Sequence, residues 1–267
     1  MLRTEPAPGA PAWIALETSD AAASAAFYGE LFGWRHRQLG RGGEAQGHFT
    51  LDGLRVAGTE RRRSARHDRW TVRFRVPDLA SALEAVRENG GTVDPDTAAT
   101  AATDTAVVHD PTGGRFALEG PGGDEGLDVV DEPGTLTRVE LCSADADGAA
   151  AFYRAVLGWQ IRDDGAYGGL HRSVAAVGEA AHGGIVQLPG ESQTAGVRSR
   201  WQPWFAVVDC DAVLNSAVKQ GASVLLPPME QAGAGRLAVF ADPVGAVCGV
   251  LSGEDRQDPP LSRRASR

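Results

Sequence analysis

The 267-residue sequence predicts an α+β fold built as two related domains in tandem, each made of two strand–helix–strands units. Three observations predict it. A run of aspartate, aromatic and glycine residues occurs twice at fixed spacing, four aspartates stand where they can cap helices, and Asp-Pro turns fall at corresponding places in the two halves.

Residues 13–34, WIALETSDAAASAAFYGELFGW, align without gaps on residues 138–159, RVELCSADADGAAAFYRAVLGW. The matches are Leu16/Leu141, Asp20/Asp145, Phe27/Phe152, Tyr28/Tyr153, Gly33/Gly158 and Trp34/Trp159, with alanines besides. Alanine matches carry little weight in an alanine-rich chain, but aromatic and glycine matches at fixed spacing carry much. A second pair follows: residues 76–93 match 207–224, and HDPTGGRFAL (109–118) matches ADPVGAVCGV (241–250). Each half therefore holds two units of one kind.

Every unit opens on a short strand followed by a helix. Asp20, Asp78, Asp145 and Asp209 sit at its start, where a side-chain oxygen accepts from the free N–H groups of the first turn. In the second unit Leu79, Leu83 and Val86 recur at helical spacing, and Gly90 can take the left-handed conformation that stops the helix. In the fourth, Leu214, Ala217 and Val218 run up to Gly221. RFALEG and AVCGVL read as strands, next to the turns DPTGG (110–114) and DPVG (242–245). Between the halves, GPGGDEGLDVVDEPG (120–134) has five acidic residues and no basic one, the composition of a linker. The expected division is a first domain at 12–119, an acidic linker at 120–135 and a second domain at 136–252, with disordered ends at 1–11 and 253–267.

Composition excludes several function classes. Hydrophobic residues make up 42% and charged residues 23%, the balance of a soluble globular protein. No apolar run approaches the roughly 20 residues of a membrane span, and MLRTEPAPGAP lacks the apolar core of a secretory signal, so a cytoplasmic protein without a membrane partner is expected. A net charge of −9 argues against nucleic acid as a partner. Arg61, Arg62, Arg63, Arg66 and Arg69 are a local exception, read either as a solvated loop or as an electropositive rim drawing an anionic small molecule to a cleft. Cys142, Cys210 and Cys248 form no CxxC pair and are expected as small buried residues.

The runs DAAASAAFYGELFGW and DADGAAAFYRAVLGW, with the two DPxG turns, resemble the D…FY…xxGW and DPxG signatures of the vicinal oxygen chelate superfamily, which includes glyoxalases, bleomycin-resistance proteins and dioxygenases. The resemblance covers roughly residues 12–119 and 136–252, and the tandem form is similar to two-domain glyoxalase-like proteins of actinobacteria. It implies paired βαβββ units whose curved sheets form a cup around a ligand. In metal-dependent relatives it further implies a His on the first strand, a His or Glu on the fifth and a Glu on the eighth. Counted from the motifs, those places hold Trp13, Thr71 and Ala117 in one half and Arg138, Gln202 and Gly249 in the other. None is a usual ligand. No metal and no cofactor are therefore expected, although Glu17, Glu119, Glu140, His48, His171 and His182 stay available to a rearranged site.

Strand alternation groups Trp13, Ala15 and Glu17 with Thr71, Arg73 and Arg75, and groups Arg138, Glu140 and Cys142 with Gln202, Trp204 and Ala206. Trp13, Glu17, Thr71, Arg73, Gln202 and Trp204 become candidate ligand-binding residues, suited to a planar, partly polar molecule such as an aromatic or polyketide-like metabolite. The bland alternative is that Glu17–Arg73 and Glu140–Arg138 are structural ion pairs. Tyr28 and Tyr153 are expected in the core with their hydroxyls on a partner. The function expected is binding, sequestration or resistance, by a monomer or homodimer. One alternative is a metal-independent isomerase, cyclase or lyase, with Glu140 as base and Arg138 stabilising developing charge. A second is a metal-dependent glyoxalase or dioxygenase with rearranged ligands.

Overall fold

The structure, a computed structural model, describes residues 6–39, 47–61, 68–95, 104–123, 126–167, 170–177, 180–190, 198–231 and 235–253. The first half runs β1 (Pro11–Thr18), α1 (Ala21–Phe32), β2 (Arg35–Gln38), β3 (Gly47–Leu51), β4 (Leu54–Arg61), β5 (Arg69–Arg75), α2 (Leu79–Glu88), β6 (Thr92–Val93), β7 (Thr105–His109) and β8 (Arg115–Glu119). The second runs β9 (Leu136–Ser143), α3 (Ala146–Leu157), β10 (Gln160–Tyr167), β11 (Leu170–Val177), β12 (Ala180–Gln187), β13 (Arg200–Ala206), α4 (Cys210–Lys219), β14 (Ser223–Gln231), β15 (Gly235–Ala241) and β16 (Val247–Ser252).

The four helices among the described residues with ranges given above start as their sequence dictates. Asp20 accepts from the N–H groups of Ala22 and Ala23, Asp78 from Ser81, Asp145 from Gly148 and Asp209 from Ala212. Each such cap contributes about 1 kcal/mol. Gly33 at φ 74° and Gly158 at φ 68° close α1 and α3 in the left-handed conformation, which turns the chain straight into the next strand. Val218 departs from the expected apolar stripe of α4: it is exposed, and Cys210, Leu214 and Ala217 form the buried face.

Each half forms one curved, open, eight-stranded mixed sheet, in the order β2-β3-β4-β1-β5-β8-β7-β6 and β10-β11-β12-β9-β13-β16-β15-β14. The opening strands of the two units lie antiparallel at the centre, with Ala15 opposite Thr71 and Glu140 opposite Gln202. Each then pairs in parallel with the last strand of its own unit. This arrangement sets both central strands of a half side by side, so that their outward residues share one cup face.

The opposite faces and the helices enclose a single core spanning both halves. Phe32 and Trp34 contact Phe205 with ring centroids 5.1 and 5.3 Å apart, and Phe74 contacts Trp159 and Trp201 at 5.5 and 5.0 Å. Helix α1 packs on α4, and α2 on α3, across the domain boundary. The two indoles of the repeated GW pairs end on backbone of the connecting segments: Trp34 Nε1 donates to the Gly134 carbonyl and Trp159 Nε1 to that of Gly9, each at 2.7 Å. The amide of Gly9 also donates to the Arg75 carbonyl, and Ala10 is buried. That part of the leading stretch, expected to be loose, is thus docked on the core by hydrogen bonds the sequence does not advertise. Residues 1–5 and 254–267, and Arg62, Arg63 and Arg66 of the basic run, lie outside the described residues.

Candidate functional site

In the first cup, Trp13 is the direct partner of Arg73, and its indole lies over Gly58 on β4. A Cβ at Gly58 would stand 2.7 Å from Trp13 Nε1, so only glycine leaves room for the ring. The indole is 1% exposed and meets His48 edge-on at 5.3 Å. It fills the cup.

Charges around it are internally paired. Glu17 binds Arg69 at 3.0 Å, accepts from Thr71 Oγ1 at 2.8 Å, and is paired with Arg115 as well. Burial alone would raise the Glu17 carboxyl, but Arg115, Arg69 and the Thr71 hydroxyl outweigh it and hold the group below its ordinary value of 4.5. The expected Glu17–Arg73 pair does not form. The register sets Arg69 opposite Glu17 and Trp13 opposite Arg73, and Arg73 turns instead to Glu60. Arg75 pairs with buried Glu119 at 3.3 Å.

The second cup carries the same cross-strand pair with its members exchanged: Arg138 on β9 faces Trp204 on β13. The Trp204 ring lies over Gly249 of β16, again at a place where a side chain would strike the indole, and the Arg138 guanidinium stacks on that ring at 4.6 Å. Here the ring leaves a cleft of about 190 Å³ beside it. Its polar members are Glu140, Gln202 and Arg200, and its walls are mainly apolar, from Leu226 and Met229 on β14 to Val239 on β15 and Val186 on β12. Glu140 is 2% exposed and takes Arg172 Nε at 2.8 Å and Arg138 Nε at 3.3 Å, both on Oε1. Oε2 takes neither.

Cys142 also lines the cleft, and burial pushes its thiol up to about 11, so it presents no thiolate at neutral pH. All three cysteines are free and buried, as expected.

The structure brings Arg138, Glu140, Gln202 and Trp204 to one face, and Trp13, Glu17, Thr71 and Arg73 to the corresponding face of the first half. Arg172, Arg200 and the β14 residues escaped sequence reasoning. Arg172 reaches the site only through the pairing of β11 with Val186 of β12, and β14 breaks register between Val224 and Leu226 and again before Met229, which erases an alternating pattern.

The six places where metal-dependent relatives carry ligands hold an indole, a hydroxyl, a methyl group, a guanidinium, a carboxamide and a glycine. That donor chemistry does not fit a divalent ion. Among the described residues, no group of three or more His, Cys, Asp and Glu side chains is placed to hold one elsewhere. His171 is paired with Asp163 at 3.1 Å on the surface, and the side chain of His182 lies outside the described residues.

Residues 13–119 and 138–251 both match the family model of the glyoxalase-like domain. A putative glyoxylase, CFP32, of Mycobacterium tuberculosis is 32% identical over 262 residues, covering 96% of this chain and 99% of its own. The anthracycline biosynthesis protein DnrV of Streptomyces peucetius is 35% identical over 259 residues, covering 90% of this chain and 92% of its own. The solved Mn(II)-bound glyoxalase of Novosphingobium aromaticivorans superposes with a TM-score of 0.62 at 16% identity, over 92% of this chain and 82% of that one. The 2,3-dioxygenase LapB of Pseudomonas sp. KL28 does so with a TM-score of 0.61 at 14% identity, over 91% and 92%. At these identities the structural matches speak for the fold.

Proposed function

The chain belongs to the glyoxalase-like domain family of the vicinal oxygen chelate superfamily, and on that premise we propose that it binds a planar, partly polar aromatic metabolite in its second cup, with no part played by the superfamily's metal triad. The observation that carries this reading is the contrast between the cups. In the first, Trp13 is buried and the carboxylate of Glu17 is paired with Arg69 and Arg115, whereas the second keeps a mainly apolar cleft beside Trp204, Glu140 and Gln202. An indole edge, a carboxamide and apolar walls are the lining expected for a flat ring system with a few polar substituents. Relatives named for anthracycline biosynthesis make a polycyclic aromatic skeleton a fitting candidate. Binding, sequestration or resistance is the role assigned.

Titration with 1,8-dihydroxyanthraquinone, followed by fluorescence, tests it. Trp204→Ala is expected to weaken binding at least tenfold, while Trp13→Phe leaves it unchanged. Equal effects of the two substitutions would sink the assignment to the second cup.

A second reading is favoured by one detail, the free Oε2 of a buried Glu140 whose other oxygen is held by Arg172 and Arg138. A carboxylate so oriented toward the cleft can take a proton from a bound ligand, and Arg138 can stabilise the enolate that results, giving a metal-independent isomerase, cyclase or lyase. Glu140→Gln separates the readings: an enzyme loses turnover and keeps binding, and a binding protein shows no turnover to lose.

A further inference from the structure

Two polar side chains that line the second cleft are left unanswered by the fold. Glu140 on β9 and Gln202 on β13 are direct cross-strand partners, so their side chains stand next to one another on the cup face. Both line the cleft, and each is only 2% exposed. Arg172 and Arg138 approach Oε1 of Glu140 and leave Oε2 open. Among the described residues the Gln202 carboxamide has no hydrogen-bond partner, not even Glu140 beside it. The unpartnered atoms sealed in the interior of this cup are others, Arg138 Nε, Arg138 Nη2 and Trp204 Nε1. Glu140 Oε2 and the Gln202 carboxamide therefore keep a surface, and the cleft is what they border.

The first cup shows the contrast. Its two corresponding places hold Ala15 and Thr71, again directly opposite one another. One is a methyl group, and the hydroxyl of the other already donates to Glu17 at 2.8 Å. That pair asks nothing of a ligand.

In the second cup, a ring that displaces water from Glu140 and Gln202 must replace their hydrogen bonds, because a polar group buried without a partner is costly. A carboxylate oxygen only accepts, so a donor has to face Oε2. The carboxamide nitrogen donates, so an acceptor has to face Nε2. A hydroxyl is both in one group, giving its hydrogen to Oε2 and a lone pair to Nε2–H. An ether or a ketone would leave Oε2 unanswered, and an anionic group would meet the charge of Glu140. Leu226, Met229 and Val239 make the rest of the wall apolar.

We propose that the ligand of the second cup is an uncharged phenol: its ring hydroxyl donates to Glu140 Oε2 and accepts from Gln202 Nε2, and its ring system is seated between Trp204 and the apolar wall. This rests on the reading that the second cup binds a planar molecule, and it adds the group that molecule must carry.

Fluorescence titration of the full chain at neutral pH with 2-naphthol and 2-methylnaphthalene tests it. The two probes are uncharged, have one shape and exchange a hydroxyl for a methyl group. Transfer out of water alone favours the methyl compound, so a preference for the hydroxyl reads the site. 2-Naphthol is expected to bind about tenfold or more tightly, the magnitude of one hydrogen bond to a charged group. Gln202→Met, close in shape and without a donor, should cut that ratio several-fold. Glu140→Gln, which removes the charge, should cut it at least as far; should it fail to fold because Arg172 and Arg138 lose their partner, Gln202→Met decides alone. Equal affinity of the wild-type protein for both probes, a preference for the methyl compound, or a ratio that Gln202→Met leaves unchanged overturns the phenol proposal and leaves the aromatic cleft standing. If neither probe binds the wild-type protein, the cleft assignment falls with it.

Discussion

Tyr28 donates its phenolic hydrogen to Oδ2 of Asp242, 214 residues away, at 3.0 Å. Tyr153 does the same to Asp110 at 2.8 Å. The two sequence signatures, FY…GW and DPxG, thus meet across the domain boundary, each half's tyrosine on the other half's turn. Behind them Trp70 Nε1 donates to Tyr28 at 3.2 Å and Trp201 Nε1 to Tyr153 at 3.0 Å. Burial drives both phenols well above their ordinary value and raises Asp242 also, so the tyrosines stay protonated donors throughout the ordinary pH range.

Tyr28→Phe or Tyr153→Phe strips a buried carboxylate and a buried indole of their shared partner. Each is expected to cost about 1–3 kcal/mol. Thermal unfolding should fall by on the order of 5 °C and remain one transition, because the halves share a core. Separate transitions for the two halves would contradict that shared core.

Glu17 gives the protein an acid-side stability limit. Its folded-state carboxyl lies below 4.5, so its contribution is full above that pH and is lost as pH falls through the folded value. Asp242, raised by burial, acts in the opposite sense, its contribution lost as pH rises through its folded value. Comparison with Glu17→Gln isolates the first. The variant should be less stable by about 1–3 kcal/mol at neutral pH, and the gap should close as pH drops below 4.5 in denaturant titrations. A gap constant with pH would contradict the Arg69 and Arg115 pairing.

How much of this was legible in the sequence follows from how local each requirement is. Capping aspartates, left-handed glycines and DPxG turns are dictated by backbone geometry within a few residues, so Asp20, Gly33 and Asp110 announce the fold. Alternation also placed Arg138 with Trp204. Register is another matter. Alternation gives the face of Glu17 but not whether Arg69 or Arg73 stands opposite, and that one step decides which ion pair forms. The cleft wall was hidden because the shifts in β14 remove the period of two that would have marked Leu226 and Met229.

The two glycines under the indoles offer a paired test. Gly58→Ala forces a methyl group against Trp13 and should cost about 1–3 kcal/mol of stability by overpacking, with ligand affinity unchanged. Gly249→Ala displaces the Trp204 ring and should weaken ligand binding tenfold or more. Loss of affinity in Gly58→Ala at full stability would contradict the assignment of the ligand to the second cup.

The central claim is one ligand site per chain, in the second cup, independent of a divalent ion. Calorimetric titration of chelator-treated protein with 1,8-dihydroxyanthraquinone addresses it most directly. One molecule bound per chain, at an affinity that added Mn(II), Fe(II), Ni(II) or Zn(II) does not change, is the result predicted. Two molecules per chain, or binding that appears only when a metal is restored, would contradict it.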